Sequence, residues 1–147
     1  MDSCLFCQIK DKKVEASIVY EDKFVTAFLD LWPANPGHVL IVPNKHFSNY
    51  SDIESDYLIA MALASQKILK AIEKSDIDCH GANFFLSDGE LAGQEVMHSH
   101  MHITPRFKED GHRMGFVDTL NSKKADRMKL NEIAAIISSN IVSMAHE

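Results

Sequence analysis

Three of the chain's eight histidines, His98, His100 and His102, alternate with other residues in Gly93-Gln94-Glu95-Val96-Met97-His98-Ser99-His100-Met101-His102-Ile103-Thr104-Pro105-Arg106. Imidazoles need polar partners, so packing alone does not explain such a row. On a β-strand, the period of two sets all three on one face, about 7 Å from one to the next. Ser99, Met101 and Ile103 then face the other way. Two chemistries suit the row. Neutral imidazoles at i and i+2 can converge on a metal ion that activates water. Alternatively, one imidazole attacks phosphorus and forms a covalent phospho-histidine that water later splits. The row by itself leaves both open.

The neighbouring residues bear on that choice. Gly89 and Gly93 allow backbone N–H groups to approach a phosphate, and Gln94 offers an uncharged side-chain donor. Asp30, in Phe28-Leu29-Asp30-Leu31, ends an apolar run; it could accept hydrogen bonds from a diol, although an Asp in that place is most often a turn residue. Cys4 and Cys7 form C-x-x-C, half of a tetrahedral zinc site, for which His46 and one of the clustered histidines are the natural completing ligands. A redox pair normally opens a helix after a strand, and no strand precedes this one. Cys79 stands alone and reads as a small, partly buried side chain. His80, His112 and His146 read as surface residues.

The elements that must position these groups follow from periodicity and turn chemistry. Ser17 to Tyr20, Phe24 to Leu29 and His38 to Val42 read as strands, the third bounded by Pro36-Gly37 and Pro43. Ser51-Asp52-Ile53-Glu54 has the pattern of a capping box, which predicts a helix starting there. Its apolar stripe, Ile53, Tyr57, Met61, Ala64, Ile68 and Ile72, widened by Leu58 and Leu69, runs to about Lys74 and predicts a face packed on the sheet. Asn83 to Ser87 and His98 to Arg106 read as the fourth and fifth strands. Asp110-Gly111 breaks the pattern, Arg113 to Lys124 has no period, and Leu130, Ile133, Ala134, Ile137, Ile141 and Met144 predict a last helix over about 125–145. Strands first, with one helix inserted and one at the end, favour an α+β fold with a mainly antiparallel sheet.

Composition bounds the function. The 147 residues predict one domain, and 46 % hydrophobic with 24 % charged residues predicts an ordinary apolar core. Fifteen basic against 21 acidic residues leave a net charge of −6, which argues against a nucleic-acid or anionic-membrane surface while leaving room for a small anionic ligand. No basic start with an apolar stretch suggests a signal peptide, and no run approaches the ~20 apolar residues of a spanning helix. A cytoplasmic protein is expected.

The run Gly93 to Arg106 resembles the histidine-triad (HIT) signature. Pro36-Gly37-His38-Val39-Leu40-Ile41-Val42-Pro43 with Lys45-His46 resembles the family's other hallmark, and the likeness extends from about Cys4 through Arg106. It implies a core over about 4–107 with a five-stranded antiparallel sheet, one long helix and a C-terminal helical extension, assembled as a homodimer. It further implies a nucleotidyl hydrolase or transferase acting on the α-phosphate of a purine nucleotide. By position in the motif, His100 would be the nucleophile, His102 and Gln94 would contact the phosphate and His38 would support the row. Asp30 would hold the ribose, while Phe6, Ile9, Phe28 and Leu31 would line the base pocket. Members with an N-terminal C-x-x-C look like zinc-containing ones, which carries over Cys4, Cys7, His46 and His98 as structural ligands. A zinc-bound His98 has no proton for the leaving group.

This chain departs from the family pattern at Ser87, where Asn or Gln is more frequent, and at Ser99, where a bulky aliphatic is usual. Pro105-Arg106 resembles the branch that splits dinucleoside polyphosphates, whereas Asp30 resembles the branch that hydrolyses nucleoside phosphoramidates. A metal-dependent hydrolase built on His98, His100 and His102, and a nucleotide-binding module without turnover, are the alternatives.

Overall fold

The computed structural model describes residues 3–145. In chain order they form helix α1 (Leu5–Lys10), strands β1 (Ile18–Glu21), β2 (Val25–Leu29) and β3 (Val39–Pro43), and helix α2 (Ser55–Glu73). Strands β4 (Gly81–Phe85) and β5 (Met101–Arg106) and helix α3 (Arg127–Ala145) follow. Single 3-10 turns lie at Tyr50–Asp52 and Glu90–Ala92. The strands make one antiparallel sheet in the order β1-β2-β3-β5-β4.

The sheet has two apolar faces, and their separation positions the site. Val25, Ala27, Leu29, Val39, Ile41 and Ile103 alternate onto one face and pack against Met61, Ala64, Ile68 and Ile72 of α2 and Ile137 of α3. Phe28, Leu40 and Val42 point to the other face and pack with Phe6 and Ile9 of α1. Both faces of β2 and β3 are therefore covered, and every residue of these strands is buried. Register then carries one row across the second face, because Phe28 pairs with Leu40, Leu40 with His102, and His102 with Phe85. Period-two geometry thus delivers His102 onto an apolar floor, between Leu40 and Phe85.

Turn chemistry places the rest. Gly37, just before β3, has φ +90°, a conformation that favours glycine, and a Cβ there would crowd Pro105 Cγ of β5 at 3.1 Å and Ile77 Cγ2 at 3.3 Å.

The five-stranded α+β architecture, the sheet-facing stripe of α2 and the unstructured stretch before α3 match the sequence reading, with three corrections. First, α1 has no counterpart in that reading; its six residues are too few to show a period. Second, no capping box forms. Ser51 lies in a 3-10 turn, α2 starts at Ser55, and Glu54 is an N-cap without a side-chain cap bond. Its carboxylate pairs with Lys45 instead. Third, β5 begins at Met101, so His98 and His100 precede the strand and the expected single-faced row does not exist. Ser99, whose N–H donates to Phe47 O at 2.7 Å, turns the chain between them.

Residues 107–124 form no helix or strand, yet they are pinned. Arg106 donates from Nε to Asp110 Oδ2 at 2.7 Å, from Nη1 to Asn83 Oδ1 at 2.8 Å and from Nη2 to Arg113 O at 3.0 Å. The guanidinium holds the Asp110 carboxyl well below the usual carboxylate range, and the N–H of His112 and the Asn35 amide add to the effect. His112 was expected at the surface; instead it is half-buried, with Nε2 3.0 Å from Ala34 O and Nδ1 accepting from Asp118 N–H. His80 is exposed as expected, and His146 lies outside the described residues. Arg106→Ala would strand the Asp110 carboxylate, whose side chain is 2 % exposed. The expected cost is about 2–4 kcal/mol, read as a fall in Tm, with faster proteolysis of residues 107–124.

Candidate active site and metal centre

The irregular segment before β5 splits the three histidines into two sites. His98 is fully buried, and its Nδ1 lies 3.3 Å from Cys4 Sγ and 3.6 Å from Cys7 Sγ. His46 Nδ1 lies 3.5 Å from Cys7 Sγ. One ligand atom from each of these four residues falls within 4.8 Å of every other, the expected set Cys4, Cys7, His46 and His98. α1 supplies the cysteines, with Cys4 as N-cap accepting from Cys7 N–H on its sulfur.

Two observations test this donor set as a metal site. His98 Nε2 is 2.9 Å from Pro43 O; a carbonyl only accepts, so the proton is on Nε2 and the Nδ1 lone pair faces the sulfurs. Burial pushes the Cys7 thiol up to about 11, and the adjacent Cys4 sulfur adds to the shift. A cation among the four donors removes that cost. The residues fit a tetrahedral metal of the zinc class.

The same logic assigns the other imidazoles. His100 Nδ1 lies 2.8 Å from His98 O, so Nδ1 carries the proton and Nε2 keeps a bare lone pair. Ala34 N–H donates to His38 Nδ1 at 2.9 Å, so the His38 proton is on Nε2, 2.9 Å from His102 Nδ1. His102 therefore accepts on Nδ1 and is a donor on Nε2. Phe85 stacks flat on His102, with centroids 4.2 Å apart and planes 8° from parallel, while Phe6 meets His100 edge-on at 4.9 Å.

Burial keeps all of these rings neutral. It lowers His38 to about 4, with the fields of His100 and His112 adding, and His102 to about 3, with His100 and His38 adding. For His100, burial lowers the pKa against the opposing pull of the His98 carbonyl and Glu95. Asp30, His38 and His102 also come within 4.8 Å of one another, but the His38 Nε2 proton is already committed to His102. His98, His100 and His102 do not converge on a common point, so the row is not the metal-ligand set of the first alternative reading.

His100 and His102 line one end of a cavity of about 480 Å³. Phe6, Ile9, Phe28, Leu31, Asp30 and Ser87, all expected at a binding site, line it too. Asp30 Oδ1 accepts from Trp32 N–H at 2.8 Å, and Oδ2 lies 3.6 Å from His38 Nε2. Asp30 is thus both the turn residue and a cavity wall.

Gln94 is not in the lining. It is 4 % exposed; its amide donates to Ser48 O and Val96 O and accepts from Gly89 N–H, so no donor remains for a phosphate. The N–H groups of Ala92, Gly93 and Gln94 are likewise used inside the loop. Gln94 anchors the loop, and its neighbour Glu95 reaches the cavity. Sequence reasoning passed over Glu95, Trp32, Phe85 and the Glu15–Arg127 pair, all in the lining. Phe85 alone was signalled, by its place in a predicted strand opposite the histidines.

Residues 11–109 match the HIT domain family. The chain belongs to the HIT family. An uncharacterized HIT-like protein of Methanocaldococcus jannaschii is 39 % identical over 118 residues, which cover 80 % of this chain and 90 % of that one. A zinc-bound histidine triad family protein of Mycobacterium smegmatis superposes with TM-score 0.84 at 28 % identity, covering 99 % of this chain and 97 % of that one. A hypothetical histidine triad nucleotide-binding protein of Sulfolobus tokodaii gives TM-score 0.83 at 30 % identity, over 96 % and 93 % of the two chains. A HIT family hydrolase of Legionella pneumophila gives 0.62 at 31 %, over 72 % and 95 %. Among the described residues of this HIT protein, no helix is long and apolar enough to cross a membrane.

Burial raises the Asp30 carboxyl to about 6; the Trp32 N–H opposes the shift and the charge of Glu95 adds to it. A folded-state pKa above the unfolded one means that ionised Asp30 weakens the fold. That cost is absent below about pH 4, grows between the two pKa values and is complete above the folded one. Asp30→Asn keeps the bond from Trp32 and is expected to stabilise by about 1–2 kcal/mol at pH 7–8, with no gain below about pH 4. Thermal unfolding across pH checks the crossover.

Proposed function

We propose that this HIT protein is a nucleotidyl hydrolase or transferase acting on the α-phosphate of a purine nucleotide conjugate, a nucleoside phosphoramidate or a dinucleoside polyphosphate. The bare Nε2 lone pair of His100 at the wall of an apolar cavity carries this reading. Its ring lies 5.0 Å from that of His102, whose Nε2 is a donor. A neutral nucleophile beside a neutral donor suits an anionic phosphoryl centre, since neither repels it and one can hydrogen-bond it. The nucleotide-binding and hydrolase names of two structural relatives support the reading.

His100 Nε2 gives its pair to the α-phosphorus, forming an N–P bond while the bond to the leaving group breaks. The leaving group departs with the electron pair of its own broken bond and takes a proton from solvent water. The His98 carbonyl, accepting from Nδ1–H, steadies the charge that develops on the His100 ring. His102 Nε2–H donates to a non-bridging oxygen, and the Ser87 hydroxyl stands at the same wall. Water then attacks phosphorus and gives a proton up to solvent, the N–P bond breaks with its pair returning to His100, and nucleoside monophosphate is released. Phe6, Ile9, Phe28 and Leu31 enclose the base, and Asp30 accepts from the ribose hydroxyls. His38 and Gln94 act as positioning residues, through His102 and the loop.

In this proposal Cys4, Cys7, His46 and His98 hold a structural zinc ion. When bound, it neutralises the two thiolates and cross-links α1 to the segment that enters β5. The homodimer implied by the family is supported by the unpaired outer edge of β4, whose N–H and C=O groups a second copy can pair; a particle mass of two chains in light scattering checks it.

Release of AMP from adenosine phosphoramidate and from diadenosine polyphosphate is expected to fall about 10³-fold or more in His100→Ala, with a nucleotidylated histidine trapped in the wild type. A folded wild type that binds AMP without releasing it from either substrate would instead be the binding module. Metal removal by chelation is expected to lower Tm, with activity falling only as the fold does. Lost turnover at unchanged Tm would contradict the structural role.

A further inference from the structure

The mouth of the cavity carries a charge pattern that the nucleotidyl-transfer step does not use. Glu95 sits at the lining, on a loop held by the three bonds of Gln94. Its side chain is exposed and makes no ion pair or hydrogen bond among the described residues. It shares that lining with Asp30 and His100, and its charge acts on both.

Among the described residues no free lysine or arginine in the lining offsets it. Arg127 is the one lysine or arginine side chain there, and it is engaged by the Glu15 carboxylate at 3.9 Å and the Ser17 hydroxyl at 3.0 Å. Arg106, which with Pro105 gave the chain its likeness to the polyphosphate-splitting branch, does not line the cavity. Its guanidinium is consumed by Asp110, Asn83 and the 113–116 backbone. Polyphosphate chains are held by arginine and lysine clamps or by bound cations, because each added phosphate brings charge that must be neutralised. Here a second or third phosphate would meet a carboxylate instead. An ammonium group is the complement of that carboxylate.

We propose that Glu95 is a specificity-determining residue of this site, selecting leaving groups that carry an ammonium charge near the scissile bond and rejecting those that carry further phosphate. The proposal rests on the nucleotidyl-transfer reading and deepens it by naming the substrate class.

The test compares kcat/KM on three AMP conjugates: the N-(3-aminopropyl) phosphoramidate, its uncharged N-butyl counterpart and diadenosine tetraphosphate. Wild type is expected to favour the aminopropyl over the butyl compound about three- to fivefold, the effect of one partly screened charge pair. Glu95→Gln is expected to bring that ratio to about one, and Glu95→Lys to invert it while raising relative use of the tetraphosphate. The wild-type preference should shrink with added salt. Dissociation constants of the same compounds on His100→Ala read the selectivity without turnover. A ratio unchanged in Glu95→Gln, with AMP release intact, overturns the Glu95 assignment alone. No release by wild type, together with no binding to His100→Ala, overturns the nucleotidyl-transfer reading and the Glu95 assignment with it.

Discussion

Three backbone groups whose hydrogen-bonding roles admit no choice, the Ala34 N–H and the Pro43 and His98 carbonyls, determine the state of the histidine system. An amide N–H only donates and a carbonyl only accepts, so each fixes one ring nitrogen and hence the other. His98 is left with a lone pair toward two thiols, and His100 with a lone pair toward the cavity. His102 accepts a hydrogen bond from His38 Nε2–H on its Nδ1 and is left with a donor on Nε2. Neighbouring histidines of one short segment thereby acquire different chemistries from the local backbone.

That division requires the chain to leave the sheet before the histidines end. A continuous strand from His98 would set three rings in one row; starting β5 at Met101 frees His98 to turn beneath the sheet and reach α1. The Cys/His cluster and the cavity histidines then share a residue, because the His98 carbonyl holds the ring of His100 while the His98 imidazole faces Cys4 and Cys7. Anything that steadies the Cys4, Cys7, His46 and His98 cluster also steadies the His100 ring. Phe6 makes the same link through packing, meeting both His98 and His100 edge-on.

The apolar core sets the cavity's place as much as the polar groups do. Helices α2 and α3 take one face of the sheet, which leaves the opposite face to the short α1 and to the row Phe28, Leu40, His102 and Phe85. The aperiodic stretch after β5 stays in place because Arg106 distributes its donors over Asp110, Asn83 and two backbone carbonyls. At the end of that stretch, Ala125 N–H donates to Leu31 O and ties it to a residue of the cavity lining. Arginine fits the task because its planar fork offers several donors at fixed angles.

Residue type and spacing alone determined much about this protein. Alternating apolar runs marked β2 and β3, a 3.6-residue stripe marked the packed face of α2, and the spacing of two cysteines and a histidine row marked both chemistries. Those signals are local, and strand and helix periods are local properties. Only the tertiary structure decided which way the His98 ring faces, since its partners Pro43 and Cys7 are distant in sequence, and only the point at which β5 begins let the local groups at Ala34 and His98 orient His38 and His100. It also turned Gln94 from a phosphate donor into an anchor, because a buried amide satisfies itself on the nearest backbone groups, and it committed Arg106 to the fold rather than to a ligand. Glu95 gave no signal in the sequence. A carboxylate becomes informative only when its neighbours are known, and what defines this one is the lack, among the described residues, of a free lysine or arginine in the cavity lining to balance it.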